Sequence, residues 1–200
     1  MRVFDIGAKD EPQEPGDRIA TVPNLLSLAR IAVLPWVLHD LLQGRLLRAL
    51  VLLAVFASTD WLDGYLARRL DQVSRLGVLL DPISDRILFV VVGVGFVLAG
   101  LLPWWALVVL LARDVVVIGV GGVLLLRGAS PPPVTRIGKT ATFGLMLAFP
   151  LFLVAAIIGD GAAEPHPVWL AIAWAVFAAH TVLYYVAAGQ YGADLLRRRD

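Results

Sequence analysis

The chain has 200 residues, of which 59% are hydrophobic and 16% are charged, and its formal net charge is +1. Because a soluble globule needs more polar surface than this, the composition excludes an ordinary water-soluble domain and indicates a chain that lies in a lipid bilayer. The sequence contains no cysteine, which excludes disulfides and thiolate metal sites, and no nucleic-acid partner is expected.

Six stretches are long and apolar enough to cross the hydrocarbon core, which takes about 20 helical residues. In chain order they cover residues 22–42, 46–68, 77–99, 103–126, 140–159 and 167–193. We therefore predict an all-α polytopic membrane protein with six transmembrane helices in one bundle. The polar residues 1–21 are expected to form a cytoplasmic tail that ends in a short interfacial segment, and residues 22–200 to form the membrane domain.

The basic residues are distributed unevenly between the ends of these helices. If the helices alternate across the membrane, 12 basic residues fall on one side, while only Arg45 and Arg48 fall on the other. The 12 are Arg2, Lys9, Arg18, Arg68, Arg69, Arg75, Arg127, Arg136, Lys139, Arg197, Arg198 and Arg199. The positive-inside rule then predicts that both termini and the turn between the second and third helices face the cytoplasm.

Four aspartates interrupt the second and third apolar stretches: Asp60, Asp63, Asp81 and Asp85. An ionised aspartate at the bilayer centre costs about 2.5 to 3.5 kcal/mol, so these residues need a compensating interaction. Positions three or four apart share a helix face, which groups the acids two by two. Because the linker between the two helices is short, they must be antiparallel neighbours, and the hairpin can bring the two acidic faces together.

Converging carboxylates repel one another unless cations lie between them. A ligand set of oxygen atoms alone favours Mg²⁺ or Mn²⁺, and four carboxylates suit a two-metal site. Gly64, Ala67 and Gly77 leave space on the same faces, and the forked guanidinium of Arg68 can meet a phosphate. Small residues often serve helix packing, but packing does not require four acids, so the set predicts a pyrophosphate site.

Written out, the stretch is Asp60-x2-Asp63-Gly64-x2-Ala67-Arg68-x8-Gly77-x3-Asp81-x3-Asp85. At all eight positions it resembles the signature of the CDP-alcohol phosphatidyltransferases. The resemblance implies six transmembrane helices and two divalent cations held by Asp60, Asp63 and Asp81, with a contribution from Asp85. It also implies that Asp85 is the catalytic general base. The CDP-binding residues that it implies are Asp60, Gly64, Ala67, Arg68 and Gly77.

The implied reaction is attack of an acceptor hydroxyl on the diacylglycerol-linked phosphorus of CDP-diacylglycerol, with release of CMP. Residues 21–30, 102–105, 111–114 and 134–150 resemble the branch that contains phosphatidylglycerophosphate synthases and eukaryotic-type cardiolipin synthases. Within it, residues 74–77 and 138–143 are most similar to the actinobacterial cardiolipin synthases. The expected acceptor is therefore phosphatidylglycerol, with glycerol 3-phosphate as the alternative. The resemblance also implies a homodimer in the bacterial cytoplasmic membrane whose active site faces the cytoplasm.

Both acceptors are anions and need fixed positive charge near the catalytic carboxylates. Arg113 is the first candidate, because a cation deep within a membrane helix needs an anionic partner, which the acceptor could supply. The alternative is that Arg113 forms a structural ion pair with Asp114 or with a signature aspartate. Arg136 and Lys139, where the chain re-enters the membrane, are further candidates, and their alternative is snorkelling to headgroups. Arg30, near the cytoplasmic start of the first helix, completes the set.

Two other kinds of function use acidic membrane helices. An intramembrane prenyltransferase carries paired aspartates on separate, distant segments, whereas here 18 positions separate Asp63 from Asp81 within one hairpin. A divalent-cation carrier would explain the acids but gives no reason for Arg68 or for the glycines. The carrier predicts metal flux without release of CMP, and a test of CDP-diacylglycerol against a prenyl diphosphate would distinguish the prenyltransferase.

Overall fold

A computed structural model of the chain describes residues 21–69, 75–126 and 136–197, with the backbone alone at 60–69, 75–82 and some further helical positions. All the regular structure in these ranges is helical, and the six predicted helices are present. They are α1 (Val22–Leu42), α2 (Leu46–Arg69), α3 (Arg75–Leu98), α4 (Trp104–Leu126), α5 (Arg136–Ile158) and α6 (Pro167–Arg197). Apart from Thr21, the predicted N-terminal tail lies outside the described residues.

The helix ends differ by a few residues from the apolar stretches. The largest differences are at α5, which begins at Arg136 rather than at 140, and at α6, which ends at Arg197 rather than at 193. In the first turns of α5, the Thr140 and Thr142 hydroxyls each donate to the carbonyl four residues back, at 3.1 Å. Hydropathy marks the part of a helix that can lie in lipid, whereas backbone hydrogen bonding continues through the polar residues beyond it.

Local sequence explains where α1 begins and ends. Thr21 is the N-cap, and its hydroxyl accepts a hydrogen bond from the backbone N–H of Asn24 at 3.3 Å. At the other end, Gly44 has a φ of +66°, a left-handed conformation that glycine adopts readily. The backbone N–H of Arg45 then donates to the carbonyl of Asp40 at 2.8 Å, which closes the turn into α2.

Among the described residues, three helices are long and apolar enough to cross a membrane: Asn24–Leu42, Arg136–Ile158 and Pro167–Gln190. Leu46–Phe56 of α2 is a shorter apolar helical stretch within the part of the chain whose side chains are described. The three apolar helices, together with exposed apolar side chains of α4 such as Trp104 at 68% and Val115 at 70% exposure, indicate a membrane protein.

The described residues form two compact units that meet in the sequence at Gly95. In the first unit, α1 packs along α2. Its core contains Leu34, Val37, Leu41, Ala49, Leu53 and Phe56. The end of α3 in this unit approaches α1 closely at Gly95, where a Cβ would lie 2.8 Å from Cδ1 of Leu41.

In the second unit, α5 packs along α6 and α4 also contacts α6. Its core is an aromatic cluster in which Phe152 lies edge-on to Trp174 and Phe177, with ring centroids 5.1 and 6.2 Å away. Gly144 of α5 faces the imidazole of His180 of α6, which occupies the space that a Cβ would need. Small residues therefore allow the two helices to approach closely.

Candidate active site

The four signature aspartates lie on two consecutive helices. Asp60 and Asp63 belong to α2, and Asp81 and Asp85 belong to α3. The helical backbone gives each pair the one-turn spacing that places both members on one face. The side chains of Asp60, Asp63, Asp81, Ala67 and Arg68, the surroundings of Gly64 and Gly77, and the linker 70–74 lie outside the described residues.

Asp85 is the signature aspartate whose side chain the structure describes. Its Oδ1 accepts a hydrogen bond from Nη1 of Arg30 at 3.2 Å. The Arg30 side chain is 2% exposed, whereas that of Asp85 is 51% exposed. The buried guanidinium thus holds one end of the carboxylate, while much of the Asp85 side chain stays accessible to a ligand.

Arg30 ends a row of buried polar residues on α1, hereafter the α1 polar row. The row consists of Thr21, Asn24, Ser27 and Arg30, each at most 3% exposed. Because they are spaced three residues apart, they lie close to one face of the helix. On α3, Ser84 next to Asp85 is also fully buried. Buried polar groups need partners, so α1 and this part of α3 form a polar interior beside Asp85.

Ser27 and Ser84 were not among the residues selected from the sequence. The period of three in the α1 polar row is a signal that could have drawn attention to Ser27. No comparable pattern marks Ser84, since its burial depends on packing between helices. Thr21 and Asn24 also share the capping hydrogen bond at the start of α1, in which the Thr21 hydroxyl accepts from the backbone N–H of Asn24.

Arg113, the first candidate for acceptor binding, lies in the second unit within a second polar group. Its Nη1 donates to Oδ1 of Asp114 at 3.2 Å, and its Cζ lies 3.8 Å from the ring centroid of Tyr184. The Tyr184 hydroxyl donates to the same Asp114 oxygen. The pair with Asp114 that the sequence left open as an alternative is therefore present, and Tyr184 joins it from α6.

Arg136 and Lys139, the other two candidates, are exposed in the first turns of α5. They also belong to the second unit. The structure thus places Arg30 against Asp85, one of the signature aspartates. Arg113, Arg136 and Lys139 belong to the second unit. Their predicted role as acceptor ligands stays a prediction.

The side chains of the signature aspartates are suitable ligands for a hard divalent cation. The ligands offered are carboxylate oxygens alone, which Mg²⁺ and Mn²⁺ prefer, and the described Asp85 side chain is half exposed. Among the side chains that the structure describes, no three histidines or acids lie close enough to bind a metal ion. Asp60, Asp63 and Asp81 fall outside that comparison, so the metal site stays a prediction from the signature.

Comparison with known protein families decides which family the chain belongs to. Residues 20–186 match the family model described as CDP-alcohol phosphatidyltransferase. The chain belongs to this family. The resemblance recognised in the signature is thereby confirmed, and the match extends over most of the described helices. As a CDP-alcohol phosphatidyltransferase, the protein is an enzyme of phospholipid synthesis whose family uses CDP-diacylglycerol and an alcohol acceptor and generally depends on a metal.

Individual relatives of the enzyme carry two kinds of name. A Streptomyces coelicolor protein named cardiolipin synthase (CMP-forming) is 39% identical over 187 residues, which are 90% of this chain and 85% of the relative. A Mycobacterium tuberculosis protein, provisionally named a cardiolipin synthase, is 41% identical over 82% of this chain and 78% of its own length. The CDP-diacylglycerol–glycerol-3-phosphate 3-phosphatidyltransferase of Aquifex aeolicus is 36% identical over 64% of this chain and 72% of its own length.

Proposed function

We propose that the enzyme transfers a phosphatidyl group from CDP-diacylglycerol to phosphatidylglycerol, forming cardiolipin and CMP. The observation that carries this proposal is the similarity to the Streptomyces cardiolipin synthase, which extends over 90% of the chain. The sequence signature indicates CDP-diacylglycerol as the phosphatidyl donor. Residues 74–77 and 138–143, which are most similar to the actinobacterial cardiolipin synthases, favour phosphatidylglycerol as the acceptor. The family match favours phosphatidyl transfer over prenyl transfer and over cation transport.

In the proposed mechanism, Asp85 is the general base. The accessible part of its carboxylate takes the proton from the acceptor hydroxyl as the hydroxyl oxygen attacks the diacylglycerol-linked phosphorus. The bond from that phosphorus to the bridging oxygen of CMP breaks, and CMP leaves with the electron pair. A positioned carboxylate typically accelerates such a step by about 10² to 10⁴. The hydrogen bond from Arg30 to Oδ1 supports this role, since it restricts the carboxylate to one orientation.

The remaining signature residues bind the donor in this proposal. Asp60, Asp63, Asp81 and Asp85 hold two divalent cations, either Mg²⁺ or Mn²⁺. These ions supply charge neutralisation at the pyrophosphate and its leaving group when bound. Gly64, Ala67, Arg68 and Gly77, together with Asp60, bind the CDP moiety. Arg113, with Arg136, Lys139 and Arg30 as further candidates, binds the anionic group of the acceptor.

Glycerol 3-phosphate is the second candidate acceptor, because the Aquifex relative is named for that reaction. The decisive experiment gives the purified protein CDP-diacylglycerol and Mg²⁺ or Mn²⁺ with each acceptor separately, and identifies the lipid product by mass. Cardiolipin together with CMP is the expected result. Phosphatidylglycerophosphate alone would replace the main proposal with the second, and absence of CMP with either acceptor would reject both. A parallel reaction with a prenyl diphosphate tests the prenyltransferase alternative.

We further propose that the six helices form one transmembrane bundle, homodimeric in the bacterial cytoplasmic membrane, with both termini and the active site facing the cytoplasm. The three apolar helices support insertion in a membrane, and the uneven basic residues support the orientation. The homodimer and the bacterial cytoplasmic membrane rest on the family resemblance. Since the chain has no cysteine, single substitutions give unambiguous labelling sites. Glu164→Cys should react with an impermeant maleimide in intact cells, whereas Ser74→Cys should react only after permeabilisation. The reverse pattern would invert the proposed topology.

A further inference from the structure

The polar group around Arg113 contains two residues that have no assigned role, Asp114 and Tyr184. Asp114 is 7% exposed and Tyr184 is 6% exposed, and the side chain of Arg113 is 12% exposed. All three lie within apolar helices of the second unit, α4 and α6. Burying charged and polar side chains costs desolvation free energy, so a group of this kind is a candidate for a functional role.

The geometry at Arg113 is unusual for helix neighbours. Residues adjacent in sequence do not face each other on a helix, yet Nη1 of Arg113 reaches Oδ1 of Asp114 at 3.2 Å. The guanidinium must therefore fold back along the helix surface. Tyr184 holds it there in two ways, since its ring lies 3.8 Å below Cζ of Arg113 and its hydroxyl donates to Asp114.

The same contacts leave hydrogen-bonding capacity on the guanidinium. An arginine has five N–H donors in a planar fork, and one of them is directed at Asp114. Nε is buried and has no hydrogen-bond partner among the described residues. A pair formed only to neutralise Arg113 would engage the fork more fully, whereas a fork that is held at Nη1 and keeps Nε unsatisfied retains a donor for a further anionic group such as a phosphate.

We propose that Asp114 and Tyr184 are positioning residues that orient Arg113 toward the anionic group of the acceptor. The inference rests on the proposed function, in which Arg113 binds that acceptor. It adds that the hydroxyl and the ring of Tyr184 act through Arg113 rather than on the substrate. A fixed guanidinium binds an anion more tightly than a mobile one because less rotamer entropy is lost on binding.

Steady-state kinetics of the full-length enzyme separate this role from a structural one. Tyr184→Phe keeps the ring under Arg113 but removes the hydroxyl, and Tyr184→Leu removes both. With the acceptor that the enzyme turns over, we expect KM for that acceptor to rise about tenfold in Tyr184→Phe and further in Tyr184→Leu. KM for CDP-diacylglycerol should not change. Asp114→Asn should behave like Tyr184→Phe.

The chain supplies a matched control in the next residue. Tyr185 also donates its hydroxyl, to the carbonyl of Val109 at 2.6 Å, but it is exposed. Tyr185→Phe removes a hydroxyl from the same turn of α6 and should leave both KM values unchanged. In addition, Tyr184→Phe should have no further effect on acceptor KM in an Arg113→Met background, because its effect passes through Arg113.

The failures of the two proposals are distinguishable. If Arg113→Met leaves acceptor KM unchanged, Arg113 does not bind the acceptor, and the inference falls with that part of the proposed function. If Arg113→Met raises acceptor KM while Tyr184→Phe and Asp114→Asn do not, the inference alone is wrong. A parallel change in both KM values, with a lower thermal midpoint in Tyr184→Phe, would assign Tyr184 a purely structural role and also overturn it.

Discussion

Arg30 and Asp85 form an ion pair between α1 and α3 in which the arginine is buried and the aspartate is half exposed. The two residues are 55 positions apart in the sequence, and Nη1 of Arg30 lies 3.2 Å from Oδ1 of Asp85. A buried arginine bonded to the proposed base is positioned to orient that carboxylate. The acceptor contact predicted for Arg30 stays a prediction, and this geometry gives the same residue a second candidate role, the positioning of Asp85.

Removing this contact should impair turnover more than acceptor binding. Arg30→Met removes the hydrogen bond that Nη1 donates to Asp85, and we expect kcat to fall roughly 10- to 100-fold, the usual effect of losing a partner of a metal-ligating side chain. Arg30→Lys should recover part of the loss. Arg48→Met is the control, because Asp40 would retain Arg45. A rise in acceptor KM with kcat unchanged would instead support the direct contact.

Asp85 and Asp81 should respond differently to neutral substitution. We expect Asp85→Asn to reduce turnover nearly to background and to retain part of the metal binding, since the base is lost while three carboxylates remain. Asp81→Asn should lose both turnover and metal binding. Mn²⁺ binding, measured by titration of the purified variants, is read beside the rate of CMP release. Turnover at the wild-type rate in Asp85→Asn would exclude Asp85 as the base.

Removal of divalent cations should stop the reaction reversibly. After chelation and buffer exchange, no CMP release is expected, because the carboxylates then repel each other and the pyrophosphate charge is not neutralised. Addition of Mg²⁺ or Mn²⁺ should restore activity. An unchanged thermal midpoint after chelation would assign the loss to chemistry rather than to unfolding. Full activity in rigorously metal-free enzyme would contradict the predicted site.

Gly144 should tolerate no larger side chain while His180 remains in place. A Cβ at Gly144 would overlap the imidazole of His180, whose Nδ1 is hydrogen-bonded to the carbonyl of Val176 at 2.8 Å. We expect Gly144→Ala to lower stability by about 1 to 3 kcal/mol, as for other overpacked interiors. The measurement is the thermal midpoint in detergent.

Two further variants test the cause of that loss. Gly189→Ala places a methyl group in α6 where, among the described residues, no atom outside the local helix backbone lies within 4 Å, so it should be neutral or slightly stabilising. His180→Ala combined with Gly144→Ala should recover part of the lost stability. If Gly189→Ala is as harmful as Gly144→Ala, the close approach at His180 is not the cause.

The sequence by itself determined the positions of the helices and the identity of the family. Runs of about 20 apolar residues are a local property, so the six helices were predicted to within a few residues at each end. The eight-position signature is equally local, because its spacing follows the helical repeat on two consecutive helices. The family match confirms what the signature implied.

Only the tertiary structure decided which polar residues meet. Arg30 contacts Asp85 across 55 positions, and Tyr184 contacts Asp114 across 70. The helical repeat determines which residues share one face of a helix. It does not determine which face of another helix that face packs against. In a chain this apolar, hydropathy distinguishes few of the possible faces. The choice depends instead on close packing at small residues and on pairing of the few buried charges, which are properties of the folded chain as a whole.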